Sequence, residues 1–282
     1  MKVKITSDST CDLSPELLEK YNIDLLPVTV TLGERDGKDM VDIHPEDIYS
    51  FVDETGVLPK TSAVNATDYR LFFSQEVAKG YSVVHFCLGS GFSSTCQNAY
   101  FAAKAFQNVY IVDSQNLSGG QGLLVLKGAE MAQQGYSADR IAEVCSEAAD
   151  KVEASFVVDS LDYLHKGGRC SGLSALGATL LKIKPCIEVK EGRMGPQQKY
   201  RGRIERALMQ YVDARLSGRT DIDPHRIFVT HTRCSSEVVD MVIARVKELV
   251  PDVEEVLDTT AGSTVTSHCG PNTLGVMFMR KE

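Results

Sequence analysis

The residues of this 282-residue chain best suited to chemistry are hydroxyls gathered in short loops, with one histidine among them. The densest stretch is Gly262-Ser263-Thr264-Val265-Thr266-Ser267-His268-Cys269-Gly270-Pro271, where four hydroxyls precede an imidazole and a Gly-Pro turn. Turn chemistry and a loop setting mark His268 as a candidate ligand contact. Three more hydroxyl clusters follow β-branched apolar runs: Ser7-Asp8-Ser9, Ser93-Ser94-Thr95 and Asp113-Ser114. A further pair, Thr61-Ser62, has no such run directly before it. Loops rich in short donors and poor in Lys and Arg suit a small, weakly charged polar head. In open α/β sheets such loops sit at the carboxyl ends of the strands, where ligands bind.

Other chemistries lack their residues. No Gly-x-x-x-x-Gly-Lys-Ser/Thr phosphate loop, Gly-x-Gly-x-x-Gly fingerprint or Gly-x-Ser-x-Gly nucleophile elbow is present. Gly119-Gly120-Gln121-Gly122 opens a helix, and both helix packing and close approach to a ligand explain it. A hydrolase with Ser93 or Ser114 as nucleophile and His231 or His268 as base stays open as the second reading. His85 lies inside an apolar strand and reads as core, His44 before Pro45 as a helix start, and His225 as exposed. The eight cysteines show no Cys-x-x-Cys spacing and no zinc template, so they read as small buried hydrophobes, with no metal expected.

The elements that must position these loops alternate strand and helix over the first half. Strands are expected at Val3–Ser7, Leu25–Leu32, Ser82–Leu88 and Val109–Val112. Helices are expected after Ser14-Pro15 and at Ala66–Lys79, Thr95–Phe106 and Gly119–Gln134. Gly33–Asp42 reads as an exposed hairpin or loop. Ser137 caps an amphipathic helix through Val152, and the alternation implies a parallel sheet with right-handed crossovers. Beyond residue 155 the pattern becomes α+β, with a small-residue helix at Ser171–Leu181 and a hairpin around Gly192. The expected architecture is α/β with two domains, 1–155 a Rossmann-like parallel sheet and 156–282 an α+β unit, with the ligand between them.

A net charge of −8 opposes nonspecific nucleic-acid binding. One basic stretch, Lys182, Lys184, Lys190, Arg193, Lys199, Arg201, Arg203 and Arg206, reads either as a solvated face or as a docking surface for an acidic or phosphate-bearing partner. No apolar run is long enough to span a membrane, which leaves only transient membrane contact, and the expected compartment is the cytoplasm.

With these residues in view, the chain resembles the DegV family. Phe156 through Ser171, containing Leu161-Asp162-Tyr163-Leu164 and Gly167-Gly168-Arg169, is similar to its central signature. Ser7-Asp8-Ser9-Thr10-Cys11-Asp12-Leu13, Thr61-Ser62, Ser93–Thr95, Val112-Asp113-Ser114 and His268-Cys269-Gly270-Pro271 with Leu274-Gly275-Val276 follow the family's order along the whole chain. Two departures stand out: Ala63-Val64-Asn65 after Thr61-Ser62, and Ser94 where the family has Gly.

The resemblance implies a bacterial protein that holds a long-chain fatty acid such as palmitate, stearate or oleate, without a cofactor. It further implies that Thr61, Ser62, Ser93, Ser94 and His268 gather around the carboxylate. It implies an acyl-carrier subunit, itself no enzyme, whose Arg169, Arg201 and Arg203 face a fatty acid kinase that phosphorylates the held carboxylate. Leu161, Leu164, Leu173, Leu176, Leu180 and Ile183 are candidate tunnel residues, with ordinary core as the alternative role for half of them.

Overall fold

The computed structural model describes residues 2–170 and 183–281. Its first sheet is parallel, in the order β2-β1-β6-β7, built from β1 (Lys2–Asp8), β2 (Asp24–Leu26), β6 (Tyr81–Cys87) and β7 (Val109–Asp113). A small antiparallel sheet flanks it, in which β3 (Thr29–Leu32) pairs with β4 (Arg35–Lys38) and β5 (Lys60–Ser62). The second large sheet is mixed and six-stranded. Its order is β10 (Arg193–Arg201), β9 (Ile183–Lys190), β8 (Val152–Val157), β13 (Thr273–Arg280), β11 (Ile222–Thr232) and β12 (Glu255–Thr260). The fold is therefore α/β in two parts, a Rossmann-like parallel half and an α+β half. The change of sheet falls in the short turn Ala149–Lys151, because β8 begins at Val152 and runs across residue 155.

Helices α1 (Pro15–Tyr21), α2 (Pro45–Thr55), α3 (Ala66–Ala78), α4 (Thr95–Ala103), α5 (Ser118–Gln133) and α6 (Ala138–Ala148) belong to the first half. The second half adds α7 (Asp162–Gly167), α8 (Ile204–Leu216), α9 (Ser236–Leu249) and α10 (Ser263–Cys269) among the described residues. Helix α5 joins the halves, packing on β1 and β6 on one side and on β8, β11 and β13 on the other. Its glycines permit this. A Cβ on Gly119 would lie 2.7 Å from Thr230 Oγ1, and one on Gly122 would lie 2.9 Å from the Cys11 carbonyl. Close packing, then, accounts for the Gly-rich start of this helix.

Two expectations change, and a third is refined. Gly33–Asp42 belongs to the expected hairpin, β3 pairing with β4, and is mostly exposed, but Gly37 and Asp39 within it are buried, with Ile43 packed against Gly37. Thr61-Ser62 lies within a strand, β5, rather than in a free loop. The stretch around His268 is a helix, α10, and not a loop. The expected helix at Ser171–Leu181 falls outside the described residues.

Candidate ligand site

Helix α10 is short and rich in β-branched and hydroxyl residues, which are poor helix formers. It is held at its start from the other half of the chain. Asp39 accepts hydrogen bonds from the Ser263 and Thr264 amides at 2.8 and 3.2 Å, and Asp12 accepts one from Gly262 at 2.9 Å. Helix N-termini leave amides unpaired, and carboxylates there satisfy them and complement the helix dipole. Ser9 and Ser118 brace the two carboxylates with hydroxyls at 2.7 and 2.6 Å. Burial, with Asp39 as a like charge nearby, pushes the Asp12 carboxyl up to about 7. The caps lie over 200 residues away in sequence, so a local reading of 262–271 contains no sign of them.

Around α10 opens a cavity of about 610 Å³, counting its mouth. Its polar lining includes Thr10, Thr61, Ser62, Ser93, Arg169, Thr264 and His268. Its apolar lining includes Val28, Leu88, Phe92, Leu117, Met194 and Val265. Register fixes Thr61: β5 pairs with β3 so that Thr61 lies opposite Val30. From there Thr61 Oγ1 meets His268 Nε2 at 2.9 Å.

The opposite ring nitrogen, Nδ1, is buried without a partner. It presses on the backbone of α7, where a Cβ on Gly167 would approach it to 2.6 Å. Burial, with the Arg169 charge nearby, pushes the His268 pKa down to about 4. The ring is thus neutral near pH 7. In the tautomer that carries its proton on Nε2, the ring donates to Thr61 Oγ1 and leaves the Thr61 hydroxyl proton free to point at a ligand. The Ser93 hydroxyl accepts from the Thr95 amide at 3.2 Å and likewise keeps its proton for donation. Thr264 Oγ1 is buried and unpartnered in the same cavity wall. These are donors arranged for an acceptor-rich head group, with one exposed cation, Arg169, at the lining.

A buried network supports the loop that carries Leu88, Phe92 and Ser93. Asp8 accepts from the Leu88 amide at 2.8 Å and is bonded by Tyr69 and by His85, whose other nitrogen meets Thr6 Oγ1 at 2.9 Å. Asp8, His85 and Cys87 place ligand-type atoms within 4.8 Å of one another. Both His85 nitrogens already have partners, so the trio anchors the loop.

A second cavity, about 390 Å³ counting the open space at its mouth, shares Leu117, Val265 and Cys269 with the first. It lies against the six-stranded sheet and is lined by Ala154, Phe156, Val189, Ala261 and Met277 together with several threonines and His231. The first cavity carries the polar groups, and the second, beyond the shared residues, is largely apolar. Leu161, Leu164 and Ile183 line neither cavity. Leu164 is instead 1% exposed in the core beneath α7. Leu173, Leu176 and Leu180 fall outside the described residues. The sequence offered no periodic signal for the actual lining, because it comes from four separated strands and two helices.

The remaining site residues disperse. Ser94, exposed, is the residue before α4 and does not line the cavity, since the helix start turns it outward. Arg201 ends β10 and Arg203 precedes α8, both exposed. Ser114 is fully buried, its hydroxyl donating to the Asn116 carbonyl at 2.9 Å. His231 Nε2 lies 3.2 Å from Asp258. Neither Ser93 nor Ser114 is bonded to His231 or His268, so the serine–imidazole pair of a hydrolase is not assembled.

A family model described as "Uncharacterised protein, DegV family" matches residues 2–281. A DegV domain-containing protein of Clostridium acetobutylicum is 28% identical over 99% of both chains. A DegV lipid binding protein from Thermotoga maritima superposes with a TM-score of 0.87 at 28% identity, covering 100% of this chain and 99% of its own. A Thermus thermophilus DegV family protein described for its fatty acid binding gives the same TM-score and identity, covering 99% and 100%.

Proposed function

Because the chain belongs to the DegV family, we propose that it binds a long-chain fatty acid between its two halves, which join at Ala149–Lys151, with no chemistry of its own. The observation that carries this reading is the Thr61–His268 pair at the wall of one cavity, beside a second, more apolar one that shares Leu117, Val265 and Cys269 with it. Thr61, Ser62, Ser93 and Thr264 supply hydroxyls to the carboxylate, and His268 orients Thr61. Affinity comes mainly from the tail. At about 0.8 kcal/mol per buried methylene, a sixteen-carbon chain gains roughly 10 kcal/mol, against association costs of at least about 4 kcal/mol. Fatty acid binding by the Thermus thermophilus relative supports the same ligand class here.

A carboxylate held by hydroxyls rather than by a bidentate guanidinium keeps its outer oxygen open to a phosphoryl donor. We extend the reading accordingly to a cytoplasmic acyl carrier for a fatty acid kinase, with exposed Arg169, Arg201 and Arg203 on the docking face. Thr61 and His268 also have the spacing of a nucleophile and its base, which is the one feature favouring a hydrolase. An imidazole whose pKa lies near 4, with no carboxylate orienting Nδ1, is a poor general base at neutral pH.

Denaturing extraction of the purified protein, read by mass spectrometry, is expected to release palmitate, stearate or oleate, and the delipidated protein to take them up again at one per chain. Failure of uptake would refute binding. Ester turnover that disappears in Thr61→Val would favour the hydrolase.

A further inference from the structure

We infer that the tip of the β9–β10 hairpin is the gate through which the acyl chain enters and leaves, with the contact of Gly192 on Gly91 as its latch. The inference rests on the fatty-acid reading and adds the route that this ligand takes. The contact lies on a seam between the two halves. Gly91, from the first half, is followed by Phe92 and Ser93, and Gly192, from the hairpin, is followed two residues later by Met194. Phe92, Ser93 and Met194 all line the first cavity. Arg169, an exposed residue of that lining, precedes Cys170, whose bridge to Met194 places the hairpin beside this solvent-facing part of the wall.

The tip is docked but lightly held. Glu191 and Arg193 are exposed while Gly192 between them is buried, because it sits against Gly91 and Gln115. A Cβ on Gly91 would overlap the Gly192 carbonyl oxygen, so glycine is what lets the two backbones come this close. Among the described residues no hydrogen bond joins residues 191–193 to residues 89–93 or to Gln115. Helix α10, on another wall of the cavity, is by contrast pinned by Asp12, Asp39 and Thr61. The hairpin is also built to move. Strand β8 pairs with β9 only as far as Val189, so the tip projects beyond the sheet. Strand β10 is the edge strand, and its register shifts between Pro196 and Gln198, a point where it bends without breaking the ladder of the inner strands. Lifting the tip draws Met194 away from Phe92 and Ser93 and opens the cavity along the seam. A gate of this kind sets the rate of exchange rather than the affinity.

The test locks the tip. A Cβ on Gly192 would lie 3.8 Å from Gln115 Cβ, a separation that a disulfide spans. Gln115→Cys/Gly192→Cys is loaded with palmitate while reduced and then oxidised with glutathione disulfide. Mass spectrometry follows the exchange of bound palmitate for deuterated palmitate. The φ of +69° at Gly192 strains both redox forms alike, so the reduced protein is the reference. Wild type taken through the same oxidation controls for the native cysteines. Exchange is expected to slow about tenfold or more on oxidation and to recover on reduction. Gly91→Ala applies the opposite perturbation and carries the test if the disulfide does not form. By pushing the tip away it is expected to quicken loading and release together, each about threefold or more. Cross-linked protein that exchanges at the rate of its reduced form overturns the gate and leaves fatty acid binding intact. So does Gly91→Ala whose release quickens without faster loading, since that reports a weakened Ser93 contact. Palmitate held by none of these proteins, wild type included, overturns the fatty-acid reading and the gate with it.

Discussion

Gly167→Ala adds one methyl group and removes no functional group, yet it should disable the head-group site. The new Cβ would stand 2.6 Å from His268 Nδ1, where ordinary contact begins at 3.4 Å, so the ring must give about 0.8 Å. The ring is wedged between α7 and Thr61, and a movement of that size squeezes or breaks the 2.9 Å bond to Thr61 Oγ1. Overpacking of this kind costs about 1–3 kcal/mol of stability, which lowers Tm by about 2–4 °C per kcal/mol in a chain of this size. Misorienting Thr61 removes a hydrogen bond to a charged carboxylate, worth about 1.5–3 kcal/mol. Palmitate affinity should therefore fall about tenfold to a hundredfold, measured by calorimetry on delipidated protein. Gly168→Ala is the control: it meets nothing within 4 Å, and its φ of +67° brings only backbone strain. It should lose stability and keep its affinity. Palmitate binding by Gly167→Ala within twofold of wild type would refute the role given to the His268 position.

Thr61→Val keeps the shape of β5 and removes the donor, so palmitate affinity should drop about tenfold with Tm changed by no more than a few degrees, a result that calorimetry and thermal melts together would check. His268 also sets a pH signature in the ligand-free protein. Its folded pKa of about 4 lies below the ordinary 6.5, so the unfolded chain binds the extra proton and stability falls as pH drops from about 6.5 to about 4. Asp12, raised to about 7, acts in the opposite sense as pH rises through that window, because the folded state then holds the extra proton. The readout is therefore the difference between wild type and His268→Gln in urea melts, expected to change by about 3 kcal/mol across the interval. Asp39→Ala strips the cap of α10 and should cost about 1–2 kcal/mol, seen in the same melts, while weakening ligand retention. Ala154→Leu places extra volume in the second cavity and should weaken stearate more than laurate, a contrast that competition binding would show.

The parallel half and the C-terminal hairpin were legible in the sequence, because β-branched runs, helical periodicity and the Gly192 turn act locally. Thr61, Ser62, Ser93 and His268 stood out by residue type, and the structure brings them to one cavity. Helix α10 was not. Its own residues favour a loop, and its helical state depends on Asp12 and Asp39, supplied from the far end of the chain. Asp39 itself sat in a stretch that composition marks as exposed, and only the packing of Ile43 under Gly37 turns it inward. The fit of Gly167 against His268 was hidden for the same reason: a glycine's closeness to a distant ring leaves no local trace. Ser94 shows the reverse, since a serine beside a cavity residue is rotated away once the helix begins. The tail chamber was out of reach because its wall is assembled from β8, β9, β11, β13, α5 and α10, with no shared period.

Where the carboxylate sits can be read from a crystal structure of the delipidated protein reloaded with palmitate. A carboxylate oxygen is expected within hydrogen-bond distance of Thr61 Oγ1 and Ser93 Oγ, with the chain running past Leu117, Val265 and Cys269 into the second cavity. Palmitate bound with its carboxylate away from Thr61, or with its tail outside that chamber, would contradict this placement.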